Sequence, residues 1–296
     1  MRFDTSKIEN YLESNFEMSL FRASLENLTN KDQPLRFNNF SYSMRELYRH
    51  VLDRLSPDDQ VKKCDWFKPV FDENGKPRRP TRRQKIIYSI RGGLNDEYTK
   101  DKLKIVIDEL LSEILESYNL LSKYTHVNEA TFNISDEEVN EFSFNVLDYF
   151  LKIFSLISDT RHSIFSRLHQ HLSNELTSTI ISETRSEIDI LSQDSYIEGV
   201  EIYEFEVLGI DSENIYFAGN GNISASLNYG KGDDATEIVD DFDFDFQCFS
   251  SVHSPTVILI SSESISIDNS NWFEDKDVVS EVSTLQMESD NSSVDF

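Results

Sequence analysis

The chain has 296 residues, a net charge of −26 and two cysteines, Cys64 and Cys248, too far apart for a disulfide framework or a zinc knuckle. No run approaches the ~20 apolar residues of a membrane span, and the densest is Val257-Ile258-Leu259-Ile260. Residues 1–7 lead into acidic and polar residues rather than the apolar stretch of a signal peptide, so a cytoplasmic protein without membrane contact is expected.

Helical spacing governs the first part of the chain. Leu12, Phe16, Leu20, Phe21, Leu25 and Leu28 predict a first helix, and Phe40, Met44, Leu47, Val51 and Leu55 a second that stops before Pro57. Residues 57–83 hold four prolines and Gly75, which predict a loop or hairpin-like insertion. Leu103, Ile107, Leu110, Leu111, Ile114, Leu115 and Tyr118 predict a long helix reaching His126. Ser135 followed by three acids reads as the cap of a further helix of about 40 residues.

Near residue 195 the period changes to two. Ile202 to Val207 alternates, as does Phe242-Asp243-Phe244-Asp245-Phe246. Turn chemistry at residues 211–214 and at Gly219-Asn220-Gly221-Asn222 separates strands expected near 200–209, 213–219, 221–229, 239–249 and 256–268. The expectation is an α+β protein: an α-helical domain over 1–192, an acidic antiparallel β domain over 195–275 (a meander sheet or small sandwich), and a disordered acidic tail over 276–296.

The charge is divided along the chain. Residues 191–296 carry 23 acids against two lysines, whereas residues 36–91 carry 14 Lys and Arg against seven acids. A phosphate backbone is attracted to the second segment and repelled by the first. RNA or DNA is therefore the partner expected at 36–91, and the acidic β half could compete for the same basic surface. The competing reading is a solvated basic loop on a protein that its acids keep soluble.

Six short stretches stand in order: Pro34-Leu35-Arg36-Phe37-Asn38-Asn39-Phe40, Met44 to Leu52, Cys64-Asp65-Trp66-Phe67-Lys68-Pro69, Pro80 to Lys85, Arg91-Gly92-Gly93-Leu94, and Leu121 to His126. Together they resemble the group 2 predicted nucleases associated with prokaryotic PIWI proteins, over roughly residues 20–275. The resemblance implies nucleic acid, bacterial immunity and a partner protein from a defence system. It carries over no catalytic set.

Arg45 and His50 fit Arg-x4-His, the spacing of HEPN-type ribonucleases. That likeness implies an arginine on phosphate charge and a histidine as acid or base, with no metal. Five helical steps leave the two side chains roughly 140° apart. They converge only through a break in the helix or across a homodimer, and otherwise decorate the helix surface. His126, beyond a helix end, reads either as a cation on the helix dipole or as a second catalytic group near Arg36 or Arg45.

Arg78, Arg79, Arg82, Arg83 and Lys85, with Trp66 upstream, suit single-stranded nucleic acid, and Arg36 and Arg49 extend the basic set. No cofactor or metal set is expected. Asp241, Asp243 and Asp245 read as a solvated strand face, and His162, His169 and His171 lack a converging third ligand. A rival to the nuclease is a non-catalytic module whose acidic β half mimics nucleic acid or holds a partner.

Overall fold

The computed structural model describes residues 4–183, 186–192, 194–231 and 234–273, and the expected acidic tail lies outside the described residues. Helices come first: α1 (Ser6–Glu9), α2 (Asn15–Thr29), α3 (Arg36–Leu55), α4 (Asp58–Lys63), α5 (Arg82–Arg91), α6 (Asp108–Tyr124), α7 (Asp136–Glu183) and α8 (Ser186–Asp189). An antiparallel sheet follows, built from β1 (Asp194–Ile210), β2 (Asn214–Tyr229), β3 (Thr236–Ser251), β4 (Ser254–Leu259) and β5 (Ile265–Ile267). Its strand order is β1-β2-β3-β4, and β5 also pairs with β3, farther along that strand. The expected α+β class holds.

The helical stripe of α3 is the sequence pattern made solid. Phe37, Phe40, Met44, Leu47 and Val51 are all buried, and the helix ends two residues short of Pro57. Ser135 caps α7 as expected. Its hydroxyl accepts from the Glu138 amide at 3.2 Å, and the Glu138 carboxylate accepts from the Ser135 amide at 3.0 Å.

At 48 residues, α7 runs about 72 Å and serves both halves of the chain. Near its start the buried Tyr48 hydroxyl donates to the Val146 carbonyl at 3.0 Å, and the ring lies 4.5 Å from Phe150. Farther along, Phe165 and His169 pack on Phe205 of β1 at 4.6 and 5.5 Å. Helices and sheet thus share one contiguous apolar core. Phe242, Phe244 and Phe246 point into it, and Asp241, Asp243 and Asp245 face solvent.

Four local expectations are corrected. Asp58–Lys63 is helical, because Pro57 precedes the first helical residue, where it displaces no backbone donor. Leu103 and Ile107 precede α6 rather than belonging to it, since a π-turn at Tyr98–Lys102 intervenes. The run 256–268 breaks into β4 and β5 around a 3₁₀ turn at Ser262–Ser264. Gly219-Asn220-Gly221 is the middle of the continuous β2, not a turn. Close approach explains these glycines: a Cβ on Gly219 would stand 2.6 Å from the Phe205 Cβ, and one on Gly221 2.7 Å from the Phe244 ring.

Sheet and helices meet at Gly92-Gly93. Gly92 ends α5 with φ +54°, and the Gly93 amide donates to the Asp211 carbonyl at 2.7 Å. A Cβ on Gly93 would lie 2.2 Å from the Ser212 carbonyl oxygen, so this contact tolerates no side chain. Gly93→Ala should therefore destabilise the protein by about 2 kcal/mol or more, as overpacking does. Gly199→Ala, where nothing lies within 4 Å of the new methyl, should be nearly neutral. Denaturant titration of both variants checks the pair, and equal losses would contradict the docking role of Gly93.

Candidate nucleic-acid interface

The basic segment splits into buried and exposed cations. Arg36 is buried at the start of α3 and paired with Asp136, which Lys31 also contacts at 3.2 Å. Those two cations hold the Asp136 carboxyl below its usual range, Lys31 contributing most. Arg91 is buried against Asp96, and its guanidinium lies 5.3 Å from the Trp66 ring centre. The Trp66 indole N–H donates to the Gly92 carbonyl at 2.9 Å. Trp66 is therefore held at the helix–sheet junction, joining two of the stretches that carry the family resemblance.

Lys85 is the third buried cation. Its ammonium contacts Asp58 at 2.7 Å and Asp53 at 2.5 Å, tying α5 to α3 and α4. Burial alone would lower its pKa, but the hydrogen bonds it donates to the two carboxylates prevail and raise it.

Around Lys85 opens a cleft of about 580 Å³ between α3, the α5 N-terminus and α6. Arg49, Asp53, Arg79, Arg82, Arg83, Lys85, Leu115 and Tyr118 line it, five bases against one acid. Thr81 and Gln84 cap α5 reciprocally, so the positive end of its dipole sits at the same wall. Arg79 meets Asp58 at 3.3 Å and Arg83 meets Asp108 at 3.3 Å, both across exposed geometry that screens the attraction. The carboxylates paired with the cluster come from the helical half, not from the acidic sheet.

Tyr118 organises the far wall. The Arg82 guanidinium lies 3.7 Å over its ring, and Arg45 Nε donates to its hydroxyl at 3.2 Å. Arg45 Nη1 also donates to Thr125 Oγ1 at 3.3 Å, beside the exposed His126. Arg45 thus ties the middle of α3 to the last turns of α6, and His126 follows the end of α6 with its side chain exposed.

His50 faces elsewhere. Its ring meets Phe16 of α2 edge-on at 4.7 Å, and α3 is unbroken between residues 36 and 55. Arg49 Nη2 lies 3.0 Å from His50 Nε2 while its other nitrogens reach Glu46 and Asp53. Arg78 is exposed on a hairpin whose bridge joins Phe71 and Pro77. Tyr118, Asp53 and Thr125 were missed by the sequence reading. Tyr118 falls on the apolar stripe of α6, and only its hydroxyl, among neighbouring Ser, Lys and Thr residues, hinted at a second role.

Other nucleophile and metal candidates are quiet. Burial pushes both thiols, Cys64 and Cys248, up to about 12. Among the described residues no group of three or more His, Cys, Asp or Glu converges as a metal site would. A larger hollow of about 860 Å³ lies on the sheet, but Glu204, Glu206, Asp245 and Glu263 line it, which repels phosphate. No described helix is long and apolar enough to cross a membrane.

The Lys85 network has a pH signature. A raised lysine pKa contributes stability that is full below the ordinary value of 10.5 and is lost as pH rises through the raised value. Lys85→Met should cost about 1–2 kcal/mol at neutral pH. Urea titrations across the alkaline range should show that gap closing above the raised pKa. A gap independent of pH would contradict the charged network.

Two family models match the chain, both described as predicted pPIWI-associating nuclease, one over residues 9–150 and the other over residues 157–273. Their boundary falls inside α7. No curated protein matches the chain. No solved structure matches it either. With the two models spanning the helical bundle and the sheet in order, the chain belongs to the predicted pPIWI-associating nucleases.

Proposed function

We propose that this chain binds nucleic acid in the cleft between α3, α5 and α6, and that it cuts RNA there without a metal as part of a prokaryotic defence system. One observation carries the reading: bases from separate stretches of sequence gather around Tyr118, and Asp53 is the one acid among the described residues that line the cleft. Arg49, Arg79, Arg82 and Arg83 engage phosphates, with Arg78 extending the track. Arg36, Trp66 and Lys85 hold the frame.

Next to Tyr118, Arg45 faces the scissile phosphate, and His126, beyond the end of α6, moves the proton. The RNA 2′-hydroxyl attacks the adjacent phosphorus, the P–O5′ bond breaks, and Arg45 stabilises the added negative charge. His126 takes the 2′-hydroxyl proton and returns it to the leaving 5′-oxygen, so the products are a 2′,3′-cyclic phosphate and a free 5′-hydroxyl. His50 would serve only a cleft completed by a second copy. A pPIWI protein is the partner suggested by the family description.

A second reading rests on the exposed Asp241, Asp243 and Asp245 row, which could hold a basic partner in a chain that does not cut.

Labelled RNA and DNA incubated with the purified protein decide between these readings. RNA should be cut equally well with and without EDTA. His126→Ala and Arg45→Ala should each abolish cutting and leave the melting temperature nearly unchanged. DNA-only cutting, EDTA sensitivity, or cutting that survives both substitutions would overturn the mechanism, and binding without cutting would favour the second reading. Separately, replacing Arg82 and Arg83 by Ala should weaken binding to all sequences alike. Their loss should flatten the salt slope by about 1.4 for a single strand, two contacts at roughly 0.7 each. An unchanged slope would remove both arginines from the interface.

A further inference from the structure

Resting on that reading of the cleft, we infer that it is built for a single strand, whose bases stack on two exposed rings, Phe71 and Tyr42. Both rings are more than half exposed, at 56% and 60%. Phe71 belongs to the hairpin that bears Lys76 and Arg78 and leads into Arg79, which lines the cleft. Tyr42 lies on α3 seven residues before Arg49, which places it on the same helix face as that arginine.

The hairpin holds Phe71 outward. Arg78 N donates to the Val70 carbonyl at 2.8 Å, and Asp72 N to the Lys76 carbonyl at 2.9 Å. The Asp72 carboxylate accepts from the amides of Asn74 and Lys76 at 2.9 and 2.8 Å, and Gly75 turns the chain with φ +72°. Ordering this loop therefore adds little to the entropic cost of binding.

A base with its face free can cover either ring, whereas the bases of a duplex are stacked on one another. At about 580 Å³ the cleft has the size of a small-molecule pocket, too small to take in a double helix. Trp66 and Tyr118 are already covered by Arg91 and Arg82, whereas Phe71 and Tyr42 offer this basic track exposed ring faces.

Fluorescence anisotropy of the full chain tests the inference with single strands of about a dozen nucleotides and duplexes of the same sequence. Single strands should bind more tightly than duplexes. Phe71→Ala should weaken single-strand binding by roughly 5- to 100-fold and leave duplex binding unchanged. Phe71→Tyr should restore most of the loss, and Tyr42→Ala should act in the same direction as Phe71→Ala. The side chains are exposed, so matching melting curves exclude misfolding. Equal or tighter duplex binding, or an unaffected Phe71→Ala variant, overturns the inference. If the Arg82 and Arg83 substitutions still weaken binding in that case, the cleft reading survives alone. If no oligonucleotide binds even at low salt, both fall.

Discussion

A buried cation must be given its counter-charge, and that requirement shapes the helical half. Lys85 meets Asp53 and Asp58, Arg36 meets Asp136, and Arg91 meets Asp96. Removing the carboxylate from such a pair is costly, about 1–3 kcal/mol, because the buried cation is left desolvated. These pairs therefore fix where α3, α4, α5 and the start of α7 lie. They also sort the basic segment into cations that hold the frame and cations that face solvent. The second group, Arg49, Arg79, Arg82 and Arg83, lines the cleft. A net charge spread over 56 residues of sequence becomes a surface with a direction.

The long α7 extends that frame to the sheet. Its first half closes the bundle behind α3, and its second half supports Phe205 of β1. Alternation over residues 241–246 of β3 then sends Asp241, Asp243 and Asp245 to the outside. The acids of the β half are consequently displayed away from the core, and none of them lines the basic cleft. The close Gly93–Ser212 contact joins the two halves with backbone against backbone.

Local periodicity was readable in the residues, and contacts between distant segments were not. The α3 stripe, the Ser135 cap and the alternation at 242–246 depend on near neighbours, which a sequence displays. Gly219-Asn220-Gly221 misled because glycine serves turns and close approaches alike, and only the Phe205 and Phe244 side chains distinguish them. The Arg82 to Lys85 cluster was visible as charge. That Lys85 is buried while Arg82 covers a tyrosine ring depends on α3 and α6, far away in the chain. Arg45 and His50 had the right spacing on an unbroken helix, and the helix itself separates them.

Photo-crosslinking tests the central claim most directly. A single-stranded oligonucleotide carrying photoreactive bases would be bound to the full chain, irradiated, and its adducts mapped by peptide mass. Adducts within residues 42–53, 70–85 and 115–126 are the predicted result. Adducts confined to the sheet, residues 194–267, would contradict the account.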